Sequence, residues 1–245
     1  MKLVLDTHIH TISSGHAYST ITENAREAYK KGLQLICMTD HGPKMPGAAH
    51  LWYFGNLKVL PEKIEGVEIL KGVEANIMDE EGNLDLPEGI LKKLDIVIAS
   101  LHDVCFEPSD DIERNTKAII NAIKNPCVDI IGHPGNPIYP IDIEKVLMAA
   151  KEYGKFIEIN NSSFVSSRKG SEENCFLIAK RAKEMGVKIA VGSDAHVSFD
   201  VGRFDEALKV IKNAGITEDL VLNTDVGKIK EYLKEKKRKI GGEEE

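Results

Sequence analysis

The chain of 245 residues has no apolar run long enough to span a bilayer. Its most hydrophobic stretches, such as Ile96-Val97-Ile98-Ala99, are strand-sized, far short of the roughly 20 residues a membrane helix needs. A signal-peptide core is missing too, because Asp6 interrupts the apolar start Leu3-Val4-Leu5. Cationic charge is in deficit, 32 Lys and Arg against 39 Asp and Glu, and a formal −7 argues against broad electrostatic capture of nucleic acid or of an anionic membrane. Taken alone, that deficit also discourages a phosphorylated substrate. Cysteine is sparse: Cys37, Cys105, Cys127 and Cys175 show no Cys-x-x-Cys spacing, and Cys37 and Cys175 fall in apolar periodic segments, as reduced, buried thiols do. No linker, Pro/Ser-rich tract or composition shift divides the chain. These absences lead us to expect a cytoplasmic protein forming one domain over residues 1–245, with 235–245 a frayed, solvated tail in which a basic run is followed by Gly-Gly-Glu-Glu-Glu.

What is present is regular. Short β-type runs begin near Lys2, Leu33, Val67, Asp95, Val128, Lys155 and Val187, about 30 residues apart, the pitch of a βα unit. The segments between them carry helix signals: Thr22 as a cap before Ala25, Ala28 and Tyr29 with Gly32 as exit, Asp142 before Val146 to Ala150 with Gly154, and Ser171 before Leu177, Ile178, Ala182 and Met185 with Gly186. Further helices are expected over Phe204–Ile211 and Val226–Leu233, the latter capped by Thr224, with a short eighth strand over Asp219–Leu222. Strands alternating with helices imply a parallel sheet, and seven near-equal units fit either an open doubly wound sheet or a closed barrel.

Histidine is the unusual component, with eight residues. His8 and His10 leave the first strand two residues apart, so an extended chain points both to one face, and Asp6 shares that alternation. An acid there could orient a ligand from behind or reach a metal itself. His41, Glu74, His102 and His133 follow or end strands two to five, and Asp194 and His196 repeat the two-residue spacing after strand seven. Any one of these could be a core or surface histidine satisfied by hydrogen bonds. Six histidines with a Glu and an Asp, all at the carboxyl ends of strands, instead form a metal-ligand set where parallel βα folds build their sites. His16, in the loop after strand one, could add a further imidazole. His50, in the insertion Ala49-His50-Leu51-Trp52-Tyr53-Phe54, reads either as part of an aromatic surface lid or as a substrate contact. Nine candidate ligands exceed the needs of one ion, so two or three ions sharing a carboxylate are expected, and mixed imidazole and carboxylate ligation favours zinc, manganese or iron.

Taken together, His8-x-His10, His16, Thr39-Asp40-His41, Glu74, His102, Gly132-His133-Pro134 and Gly192-Ser193-Asp194-x-His196 resemble the PHP (polymerase and histidinol phosphatase) family. Asn160-Asn161-Ser162-Ser163-Phe164 and Ser167-Arg168-Lys169-Gly170-Ser171 make the likeness greatest to its small stand-alone YcdX-type phosphatases. The resemblance implies an α/β fold, a distorted seven-stranded (β/α)7 barrel of TIM-like form, with three divalent metal ions, often zinc. Carried over by position, His8, His10, Glu74 and Asp194 hold the first ion, His16, His41 and His196 the second, and Glu74 bridges to a third held with His102 and His133. A homo-oligomer, first of all a trimer, is also implied.

The expected function is therefore a metal-dependent phosphatase that hydrolyses a phosphate monoester by attack of a metal-bound hydroxide, with no side-chain nucleophile. Arg168 is the candidate phosphate fork, with Lys169 beside it and His50 as a second substrate contact. Three divalent ions would offset most of the formal charge and place a positive field at one mouth of the barrel, so a small phosphorylated substrate is compatible with an acidic chain. Stable nucleic-acid or membrane binding is not expected. A phosphodiesterase or nuclease acting on short nucleotides, an amidohydrolase-like hydrolase and a non-enzymatic metal-binding module are the alternatives.

Overall fold

The computed structural model describes residues 1–241. Its strands are β1 (Leu5–Ile9), β2 (Leu35–Met38), β3 (Lys63–Ile64), β4 (Val67–Asn76), β5 (Ile96–Ser100), β6 (Ile130–Ile131), β7 (Phe156–Asn160) and β8 (Ile189–Gly192). Its α-helices are α1 (Ile21–Lys30), α2 (Leu51–Asn56), α3 (Glu88–Leu91), α4 (Ile112–Lys124), α5 (Ile143–Tyr153), α6 (Ser162–Val165), α7 (Glu172–Met185), α8 (Asp205–Ala214) and α9 (Val226–Gly241). All strands but β3 are parallel, in the order β1-β2-β4-β5-β6-β7-β8, and β3 is a short antiparallel companion of β4. The ten-residue β4 pairs with β2 through Glu68–Lys71 and with β5 through Gly72–Asn76. The ends of the sheet meet between β8 and β1, where His10 N–H donates to Ala195 O, Asp194 N–H to His8 O, and buried Asn223 bonds Leu5 O and both backbone groups of Val191. The result is a nearly closed, distorted seven-stranded barrel with surrounding helices. Among the described residues no helix is long and apolar enough to cross a membrane.

Alternation along the strands sorts the side chains into two cores. Ile36, Met38, Val73, Val97, Ala99, Ile157, Ile159 and Val191 face outward against the helices. Leu5, Leu35, Cys37, Ile96, Ile98, Ile130, Phe156 and Ala190 face inward, where Leu222 and the α9 residues Ile229 and Leu233 join them and close the amino-terminal end. Each such aliphatic side chain stabilises the fold by roughly 1.5–3 kcal/mol when fully buried. Above this apolar floor the inward positions become Glu74, Glu158, Asn160 and the histidines.

Several local expectations change. The eighth strand is only an isolated parallel bridge, Ile189 to Val221, between 3-10 turns. The cap of α1 is Thr20, in a reciprocal box with Glu23, and Tyr29 on that helix is exposed. Ser171 precedes α7 but gives its hydroxyl to Arg168 O rather than capping, and Asp225 rather than Thr224 accepts from the first turn of α9. Asp142, Gly154 and Gly186 take the cap roles expected of them. The tail expected over 235–245 is helical as far as Gly241, because α9 carries Lys236 into a buried ion pair with Asp129 at 2.6 Å. The part over 242–245 lies outside the described residues.

Candidate metal centre

A bulge in β1 decides which of its residues enter the site. Asp6 pairs with Ile36 and Ile9 with Met38, three steps on one strand against two on the other, so the alternation reverses within β1. Leu5 therefore faces the barrel interior, Ile9 the helices, and His8 and His10 the interior again. Asp6 is turned away from the two imidazoles, contrary to simple alternation. Its carboxylate accepts from Ser193, Gly202 and His8 N–H at 3.0, 2.9 and 3.3 Å, anchoring the loop that carries Asp194, and burial pushes its carboxyl up to about 6.

The structure brings all nine residues of the expected ligand set together. Glu74 lies at the centre. Its Oε2 is 2.7 Å from His41 Nδ1, 3.3 Å from His8 Nε2 and 3.5 Å from His10 Nε2, while Oε1 is 2.9 Å from His133 Nε2 and 3.3 Å from His102 Nε2. Asp194 Oδ1 lies 3.1 Å from His10 Nε2, 3.7 Å from His8 Nε2 and 3.6 Å from His196 Nδ1. His196 Nε2 meets His16 Nε2 at 3.1 Å. Burial grades outward: His8, His10, His41, Glu74, His133 and Asp194 are buried, His102 and His196 half-buried, and His16 exposed, so the cluster opens on the His16 side.

These groups crowd together without all being paired. His41 Nδ1 and Glu74 Oε2 have no hydrogen-bond partner although both are buried and close together, and His8 and His10 bring their Nε2 atoms to 3.1 Å. An unpaired buried polar atom costs about 1–3 kcal/mol, so two in one cluster call for a cation. Three groups of ligand atoms are close enough to hold ions: His8, His10 and Asp194; His10, His41 and His196; and His41, Glu74 and His102. No cysteine enters these groups among the described residues.

Electrostatics agree with that fit. Burial alone would raise the Glu74 carboxyl, but His8, His102 and His41 hold it well below the usual range. Burial would likewise raise Asp194, and His8 and Arg168 hold it well below. Burial, reinforced by His41, pulls His10 well below its ordinary value, and burial with Arg168 brings His133 down to about 4. These are lone-pair-bearing states, as metal ligation requires. For His8, burial opposes charge, yet Glu158, Glu74 and Asp194 raise it well above its ordinary value. A cation could take that proton's place.

The outer partners are residues that motif spacing does not reveal. Glu158 Oε1 meets His8 Nδ1 at 2.8 Å, Asn76 Oδ1 meets His102 Nδ1 at 2.7 Å, and Ser14 Oγ meets His10 Nδ1 at 3.0 Å while donating to Asp40. Tyr53 OH donates to the same Asp40 at 2.6 Å. The available signal was a lone acid or amide at an inward position of a buried strand, Glu158 in Phe156-Ile157-Glu158-Ile159-Asn160 and Asn76 at the end of β4. Arg168 reaches the cluster, but its Nη2 already donates to Asp194 Oδ2 at 2.6 Å and Asn160 Oδ1 at 3.0 Å, and its Nε to Ser163 Oγ at 2.9 Å. Lys169 is exposed. His50 stands apart, exposed at the start of α2 with its Nδ1 accepting from Trp52 N–H.

Comparison with known proteins follows the same lines. The family model described as PHP domain matches residues 6–162. A protein called a probable phosphatase in Thermoanaerobacter sp. strain X514 is 98% identical over 245 residues, all of both chains. Another protein so called, from Caldanaerobacter subterraneus subsp. tengcongensis, is 77% identical over 242 residues, 99% of this chain and 95% of that one. Among solved structures, histidinol phosphate phosphatase from Lactococcus lactis, complexed with zinc, L-histidinol and phosphate, aligns with a TM-score of 0.62 at 20% identity, covering 87% of this chain and 94% of that one. At that identity the likeness speaks for the fold.

Proposed function

The chain belongs to the PHP domain family, and from that premise we propose that it is a metal-dependent phosphatase whose substrate is a small phosphate monoester. The observation that carries the reading is the convergence of six imidazoles on Glu74 and Asp194, with His16 joined to them through His196 and with His41 Nδ1 and Glu74 Oε2 left unpaired in a buried site. In this reading His8, His10, Glu74 and Asp194 hold a first ion, His16, His41 and His196 a second, and Glu74, His102 and His133 a third. Zinc suits these donors best, with manganese and iron as alternatives. Bound divalent ions would supply an activated water near neutral pH and neutralise charge on the phosphoryl oxygens.

The chain's own residues do the rest. Glu74 directs one oxygen to His8, His10 and His41 and the other to His102 and His133, the arrangement of a bridging carboxylate. Asp40, Ser14 and Asn76 orient His10 and His102 and fix which ring nitrogen faces the site. Arg168, half-buried, sets a planar cation beside Asp194 and is the side chain that would meet a phosphoryl group in this reading. His50 has no part in this reading.

The test is metal analysis of the purified protein together with a panel of phosphomonoesters and phosphodiesters, assayed with and without chelator. The expected result is monoester hydrolysis that disappears on stripping and returns with zinc or manganese. Full activity in protein verified to be metal-free, or hydrolysis of diesters alone, would overturn it.

A further inference from the structure

Glu158 is buried on β7, and its two oxygens serve different parts of the cluster. Oε1 bonds the His8 ring at Nδ1, 2.8 Å away. Oε2 accepts the backbone N–H of His133 at 2.8 Å and Asn160 Nδ2 at 3.1 Å. The ring of His8 and the main chain of His133 are thereby tied to one rigid carboxylate. Both ends of this strut are held closely. His133 has φ +32°, a conformation a residue with a Cβ adopts when its surroundings fix it, and the Glu158 bond is the contact that reaches its backbone N–H from the neighbouring strand β7. At Gly192 a Cβ would overlap both Glu158 Oε1 and the Cβ of His8, so β8 leaves room for this bond only because that position is glycine.

We propose that Glu158 is a positioning residue that couples the first and third ion positions. By accepting from His8 Nδ1 it leaves the Nε2 lone pair facing Glu74, His10 and Asp194, and by accepting from His133 N–H it sets where the His133 ring meets Glu74. The inference rests on the metal-centre reading above and adds that ions bind at the two positions together.

Glu158→Gln separates the two roles. An amide has one accepting oxygen, so it can serve His8 Nδ1–H or His133 N–H and must present an NH2 group to the other. When the NH2 group faces His8, the ring shifts its proton to Nε2 and loses the ligating lone pair. Zinc titration of chelator-stripped wild type, followed by competition with a chromophoric chelator, is expected to fill the coupled positions in one step. The Glu158→Gln protein is expected to fill them in separate steps, with affinity lowered 10- to 100-fold at one or both. Nitrogen-15 spectra of the histidines in the zinc-titrated proteins supply a readout that a merely structural role would leave unchanged: the neutral Nε2–H tautomer of His8 should appear in the variant and not in wild type, where Nε2 would face the ion. Should Glu158→Gln fail to fold, Glu158→Asp replaces it, because the shorter carboxylate keeps its charge but cannot span both partners. Wild-type affinity, single-step filling and unchanged His8 tautomer in the variant would overturn the proposal while leaving the metal centre intact. Absence of stoichiometric zinc in wild type would instead overturn the metal-centre reading, and this inference with it.

Discussion

Two buried polar clusters occupy opposite ends of one barrel and are assembled in opposite ways. At the carboxyl ends of the strands, imidazoles and carboxylates crowd together with His41 Nδ1 and Glu74 Oε2 unpaired. At the amino ends, Asp129 accepts from Lys236 at 2.6 Å, from Val97 N–H at 2.7 Å and from Tyr232 OH at 2.9 Å, while Lys155 donates to the carbonyls of Asn125, Pro126 and Val128. Both clusters are strongly desolvated, so burial alone does not separate them. Hydrogen-bond completeness does. A cluster that satisfies itself contributes to the fold and needs no ligand, whereas one that leaves donor atoms converging on shared space is suited to hold something else.

Substitution at each end sharpens the contrast. Glu74→Ala or Asp194→Ala should reduce phosphatase turnover by at least about 10⁴-fold, more than about 5 kcal/mol of transition-state stabilisation, and should lower the zinc content measured after dialysis. Asp129→Asn should leave zinc content unchanged; if it strips the metal instead, the two ends are not independent and the comparison fails.

The next effect is on stability. Asp129→Asn leaves the Lys236 ammonium buried against a neutral amide and should cost about 3–5 kcal/mol in urea unfolding. Adding Lys236→Met should recover much of that loss, since it removes the uncompensated charge.

A pH-dependent effect of about 3 kcal/mol is expected at Lys155, whose ammonium is brought down from 10.5 to about 8 by burial, reinforced by the Lys236 and Lys239 cations and only partly offset by Asp129. Because the folded value lies below the unfolded one, its contribution to stability is fullest above about 10.5 and is lost as pH falls through about 8. Wild type should therefore lose stability relative to Lys155→Met as pH is lowered across that window, in parallel unfolding curves. A difference that stays flat with pH would show that Lys155 keeps its ordinary affinity for protons.

The smallest change is Tyr232→Phe, which deletes one of three bonds to Asp129 and should cost about 1 kcal/mol, a fall in Tm of about 2–4 °C, with activity and zinc content unchanged.

Legibility in the sequence follows the range of the interactions involved. The seven barrel strands are readable because alternation, β-branched content and helix boundaries such as Asp142, Gly154 and Gly186 act within a few residues. Eight of the nine clustered residues are readable for a related reason: each lies at or just after the carboxyl end of a strand, and parallel strands bring those ends to one face, while His16 lies farther along the loop after β1. Asp6 was misplaced because the β1 bulge depends on pairing with β2, some 30 residues away. Arg168 was found as a residue but not as a partner of Asp194, 26 positions on. The end of α9, from residue 235 on, reads as a solvated tail because its basic run finds Asp129 only across the bottom of the barrel.

By itself, then, the sequence determined the strand pitch, the donor types and their place at the carboxyl ends, all of which depend on local conformation and side-chain chemistry. Only the tertiary structure decided that Glu158 joins His8 to His133, that Asp6 faces away, and that α9 seals the apolar floor beneath the site. These are questions of which oxygen meets which nitrogen across the closed barrel, and they are settled by register, bulges and packing between segments far apart in the chain.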